Sequence, residues 1–213
     1  MAKELTQANV MNLLEDCYEK CLNGVPKVSR SVEQMADDYL KKSKSKEQAC
    51  KNMCKMQIIK CTTSGAVTNL GGIITLPVAI PANIGSVLYV QMRMIACAAL
   101  LGGYELESDQ TQTLVYACLA GVAVNSFVKK AGVSAGQKIA NNMIAKIPGK
   151  SLQAINKKVG YRFITKFGET GTINLGKLVP GVGAVIGGSL DGVETKIIAD
   201  RAYKWFMTGD FSK

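Results

Sequence analysis

The chain has 213 residues, 47% hydrophobic and 20% charged, with 26 Lys and Arg against 16 Asp and Glu, a net charge of +10 and no histidine. So high an apolar fraction excludes a disordered chain, and the length suffices for one full core. Without histidine there is no Ser-His or Cys-His catalytic pair, and zinc loses one of its commonest ligands.

The first predicted helix runs from about Gln7 to Leu22. Val10, Leu13, Leu14, Cys17, Tyr18, Cys21 and Leu22 follow the spacing of one helix face. Asn23-Gly24 with Pro26 beyond is a C-terminal stop. A second helix starts after Ser29 or Ser31 and carries Val32, Met35, Ala36, Tyr39 and Leu40 as its stripe. The KKSKSK run, 41–46, reads as a turn or a solvated face, and a third helix follows from Glu47 to about Cys61. Cys50, Met53, Cys54, Ile58 and Cys61 repeat the helical rhythm, so the Cys17/Cys21 and Cys50/Cys54 pairs read as small core hydrophobes rather than metal ligands. No metal or other cofactor is expected.

From Cys61 to Met92 no residue is charged. The stretch is long enough for a bilayer, which needs roughly 20 apolar residues. Pro77 and Pro81 interrupt it, however, and its first part is rich in Thr, Ser and Asn. The prolines predict a loop and a new helix beginning near Pro81, since proline is tolerated in a first turn and not in an interior. That helix passes Leu88, Tyr89, Gln91 and Arg93 and ends at Gly102-Gly103. Ser108-Asp109 is the N-cap region of a further helix, predicted over about Gln110 to Lys130. Next, Leu152, Ile155, Val159 and Phe163 line one side of a helix and Lys158, Arg162 and Lys166 edge the other. In the run KLVPGVGAVIGGSLDGVETKIIADRAYKWF, Gly183/Gly187 and Gly188/Gly192 are small-xxx-small pairs that let helices approach closely. Ile198, Ala202, Trp205 and Phe206 belong to a closing amphipathic helix. No alternating strand pattern competes. The expected fold is all-α: one compact helical bundle over 1–213, with amphipathic helices in 1–60, tightly packed apolar helices in 61–128 and a basic half from 129 onward.

Residues 129–213 hold 14 Lys and Arg against 5 acids, and between Gln110 and Gly168 there are nine basic residues and no acid. One surface is therefore expected to attract anions. Phosphate-loop chemistry is excluded: Gly149-Lys150-Ser151 would need a glycine where Ile144 stands. The glycines around Gly181 lack the spacing and the preceding strand of a dinucleotide fingerprint. Nucleic acid is not an expected partner, because no known module is visible and the spacing of Tyr161, Phe163 and Phe167 among aliphatics points to core packing. Arg93 is the lone cation between Lys60 and Lys129. It needs a partner: Glu105, Asp109, Asp191 or a headgroup phosphate. Asp191 and Gln91 are expected as buried polar partners.

Two long runs, GGIITLPVAIPANIGSVLYVQMRMIACAALLGGYELESDQTQTLVYACLAG and NKKVGYRFITKFGETGTINLGKLVPGVGAVIGGSLDGVETKIIADRA, resemble the EcsC family of bacterial proteins. The resemblance covers about residues 30–206. It is carried by Pro77, Pro81, Gln91, Arg93, Gly103, Tyr104 and Asp109, and later by Asn156, Gly160, Arg162, Thr165, Lys166, Gly168, Gly171, Lys177, Pro180, Gly183, Gly187, Asp191, Thr195 and Lys196. It implies a bacterial, helical, membrane-associated protein, without an established activity. Where relatives often carry an acid shortly after the first proline, Ala79 and Asn83 are uncharged here.

The function expected from these readings is non-enzymatic: binding of lipid or another amphiphile, with docking on an anionic membrane. Arg93, Lys157, Lys158, Arg162, Lys166, Lys177 and Lys196 would meet the anion. Ile73, Leu76, Pro77, Ile80, Pro81, Leu88, Val185 and Ile186 would line an apolar cavity or face the membrane. The N-terminus MAKELTQANV has no apolar core of a secretory signal, so the expected place is the cytoplasmic side, peripheral to or partly inserted in the inner membrane. The alternatives are a helical accessory, immunity or regulatory partner of a membrane complex, and an enzyme using Arg162, Lys166, Asp191 and Lys196 on a phosphate-bearing substrate.

Overall fold

The computed structural model describes residues 6–62, 82–130, 132, 141–167 and 190–212, with the side chains of 82–84, 141, 142, 167, 190 and 191 excepted. The helices are α1 (Gln7–Asn23), α2 (Val32–Lys41), α3 (Lys46–Thr62), α4 (Ala82–Leu101), α5 (Asp109–Ala120), α6 (Asn125–Lys130), α7 (Asn141–Ile144), α8 (Gly149–Phe167) and α9 (Leu190–Ala202), which runs into a π-helical turn at Tyr203–Met207. Among the described residues there is no strand, only an isolated antiparallel bridge between Val25 and Ser29. The chain is all-α. The prolines of the uncharged stretch, its residues Ile73, Leu76 and Ile80, the Gly183/Gly187 pair, Lys177, Val185 and Ile186 lie outside the described residues.

Local chemistry sets the helix ends. Thr6 caps α1 through its hydroxyl, which accepts from Asn9 N at 3.2 Å. Gly24 ends it at φ +77, and a β-carbon there would lie 2.7 Å from Ser29 O, so glycine is needed for the chain to turn back. Ser31 and Gln34 form a reciprocal capping box at the start of α2. Ser45 receives Gln48 N at 3.1 Å, and the lysine run becomes the turn between α2 and α3.

One departure from the expected order concerns the helix predicted over Gln110–Lys130. It divides at Gly121, whose left-handed conformation (φ +69) lets Val122 N reach back to Ala117 O at 2.9 Å. This six-to-one closure ends a helix. Arg201 from α9 adds to it by donating to Cys118 O at 2.6 Å, a cation placed at the negative end of α5.

Helix α4 is the axis of the bundle. It packs against α1, α2, α3, α5, α9 and the π-helical turn. Apolar side chains surround it on nearly every side: Leu88, Tyr89, Val90, Met92, Met94, Ile95, Cys97 and Leu101 are all buried. A helix apolar all round is either a membrane span or the centre of a protein, and here other helices cover it. No described helix is long and apolar enough to cross a membrane. All seven cysteines are free and buried, as the apolar stripes led one to expect for Cys17, Cys21, Cys50, Cys54 and Cys61. Where α4 ends, Tyr104 meets Phe206 edge to face at 5.2 Å, and Trp205 and Phe211 extend the aromatic cluster. Gly102 permits that contact, since a β-carbon there would fall 2.1 Å from Phe206 O.

Candidate functional site

Helix α8 exposes four cations and lies in a stretch of the sequence without an acid. Its inner side, Leu152, Ile155, Val159 and Phe163, is buried and fastens the helix to α1 and α5. Gly160 brings α1 close: a β-carbon there would stand 2.6 Å from Gln7 Cγ. The opposite side presents Lys150, Lys157, Lys158 and Arg162, all exposed. Spacings of four, seven and eight residues gather them on one arc of the helix. Lys129, Lys130 and Lys146 are exposed on flanking segments of the same acid-free stretch. Lys158 Nζ sits 5.1 Å from the Phe127 ring centre, so its stem leans over α6 while its charge remains at the surface.

Tyr161 stands in the middle of this arc, 56% exposed. Sequence spacing assigned it to the core with Phe163; Phe163 is buried and Tyr161 is not. The signal was present, because Tyr161 follows Lys157 by four and Lys158 by three, which places it on the charged side.

The other expected anion ligands have different surroundings. Lys166 forms an ion pair with Glu194, their side chains only 16% and 26% exposed, and so ties the end of α8 to the start of α9. Lys196 pairs with Asp200 along its own helix at 2.7 Å. Arg93 donates to Arg30 O at 2.6 Å and lies 5.9 Å from the Tyr89 ring centre. Among the described residues it meets no carboxylate, and its Nε is buried without a hydrogen bond. Desolvation, and after it the charge of Arg93, pulls Lys60 below the usual lysine value. Gln91 is buried and donates to Thr195 Oγ1 at 3.0 Å, a polar bond between α4 and α9. Leu88 is buried in the core. Gly192 touches α3, where its β-carbon would meet Thr62 Oγ1 at 2.5 Å.

The described residues therefore divide the predicted set. Lys157, Lys158 and Arg162 share one open face. Lys166 and Lys196 are engaged with acids, and Arg93 belongs to the junction of α4 with the segment before α2. The open face offers ammonium and guanidinium donors around a phenol, and the stretch that carries it contains no carboxylate. Such a surface holds anions by charge and hydrogen bonding.

Comparison with known proteins agrees with the sequence resemblance. The model of the EcsC protein family matches residues 2–207, nearly the whole chain, and the protein belongs to that family. No curated protein and no solved structure matches it.

Proposed function

We propose that this EcsC-family protein is a non-enzymatic peripheral protein that docks on anionic lipid at the cytoplasmic face of the inner membrane. The observation that carries the reading is the open face of α8, with Lys150, Lys157, Lys158 and Arg162 around an exposed Tyr161. Each cation near an anionic surface contributes about 1 kcal/mol, diminished by salt. Four of them together favour docking by about 4 kcal/mol, enough for reversible attachment to a lipid surface. A tyrosine suits the headgroup level, where its ring meets apolar matter and its hydroxyl meets water. The closed packing around α4 supports docking from outside the bilayer rather than crossing by that helix.

The test is co-sedimentation with vesicles of mixed anionic and zwitterionic phospholipid, using the double variant Lys158→Glu Arg162→Glu. Both side chains are exposed, so the variant should keep the helical circular-dichroism spectrum and thermal midpoint of the parent. Loss of vesicle binding at moderate salt is the expected result. Unchanged binding by the folded variant would remove α8 as the docking surface.

A further inference from the structure

A second feature lies away from α8, between α3 and α9. Helix α3 buries Ala49, Cys50, Met53, Cys54, Gln57 and Cys61, yet Met56 and Ile59 are each 43% exposed. Its apolar residues thus point in two directions. On the side toward α9 they border a cavity of about 360 Å³. Ile58, Ile59 and Ala199 give it an apolar wall, and Tyr203 also lines it. Such a volume is at the lower end of the range for ligand pockets, roughly 300–1,000 Å³.

The charges at the groove are unequal. Lys51 and Lys55 both line it, and among the described residues neither has a carboxylate within ion-pair distance. Lys51 Nζ rests 5.3 Å from the centre of the Tyr203 ring. The one acid of the lining, Asp200, already accepts from Lys196 at 2.7 Å. An apolar slot beside two ammonium groups that no described carboxylate answers is complementary to a chain with a negative head. A cationic or neutral amphiphile would fill the slot and leave the lysines unanswered.

From this juxtaposition we infer that the α3–α9 groove binds one single-chain anionic amphiphile, its tail along Ile58, Ile59 and Ala199 and its head at Lys55 and Lys51. The site goes beyond docking and stands without it, because α8 supplies none of the lining.

The probe is dodecanoate below its micellar concentration, titrated calorimetrically into the full chain with no vesicles present. Dodecyltrimethylammonium, of equal tail and opposite charge, is the comparison. Saturable one-to-one binding of dodecanoate alone is expected. Lys55→Glu should weaken it at least about tenfold, and Ile59→Ser by several-fold, while both variants sediment with anionic vesicles as the parent does. Absence of saturable dodecanoate binding, equal binding of the two amphiphiles, or parental affinity in both variants would overturn the assignment. So would a dimer in sedimentation velocity that Ile59→Ser dissociates, since the groove would then be covered by a second copy of the chain.

Discussion

Tyr161 shows how one residue can change the meaning of a charged helix. An exposed row of lysines on a helix is ordinary solvated surface, worth little in stability. An aromatic ring among them adds a group suited to the headgroup level, apolar in its ring and polar at its hydroxyl. Tyr161→Ala should therefore leave the thermal midpoint within about 1 °C of the parent and weaken partitioning to anionic vesicles about three- to tenfold. A large loss of stability with unchanged partitioning would assign the ring to packing instead. Buried residues make a different prediction. Burial raises the Cys97 and Cys118 thiols from 9.0 to about 12. In the unfolded chain they ionise near the ordinary value, so the unfolded state loses protons first as pH rises. Stability held below about pH 9 should then fall progressively toward about pH 12. Urea midpoints at about pH 8 and pH 10.5 would show the decline, and Cys97→Ala with Cys118→Ala should reduce it in part, since burial raises the Cys21 thiol as well. Five of the cysteines, Cys17, Cys21, Cys50, Cys54 and Cys61, were legible in the sequence because thiols on apolar stripes have one simple explanation. The surroundings of Arg93 were not, since its acceptor is the backbone carbonyl of Arg30, and a carbonyl leaves no mark in a residue pattern.

Among the elements, glycines decide how closely helices approach. The three close contacts differ in what would have to move. At Gly102 a methyl group meets the Phe206 carbonyl, which is backbone; at Gly192 it meets the short Thr62 side chain; at Gly160 it meets the flexible Gln7 side chain. Substitution by alanine should therefore cost most at Gly102, about 3 kcal/mol or more, about 1–3 kcal/mol at Gly192, and least at Gly160, under about 1 kcal/mol. Urea unfolding of the three variants would check the order, and equal losses would contradict the contacts. Glu194→Gln belongs to the same scale. It leaves the Lys166 ammonium, partly buried between α8 and α9, without its carboxylate, and should lower the melting temperature by about 2–6 °C. Helix starts were readable because caps are local chemistry, as Ser31 with Gln34 shows. The break at Gly121 was not, because a single glycine within an apolar run is tolerated in many helices. Here the left-handed turn is held by Arg201, eighty residues away in the chain. The outward Met56 and Ile59 were equally hidden, since they blur the periodicity of α3 instead of announcing a groove.

At the scale of the whole molecule, charge and apolar matter are kept apart. Helix α4, with Arg93 as its single charge in twenty residues, is the axis, and the acid-free stretch from Gln110 to Gly168 provides the outer face of α8. This separation could be read in the sequence from counts alone. Its orientation could not, because which side of a helix faces a neighbour depends on every other helix in the bundle. The central claim is that the α8 face meets anionic lipid, and vesicle flotation of the detergent-free protein tests it most directly. Zwitterionic and anionic vesicles would be compared at low and high salt. Flotation with anionic vesicles only, abolished by high salt, is the predicted result. Flotation that persists in high salt, or no flotation with either lipid, would contradict it.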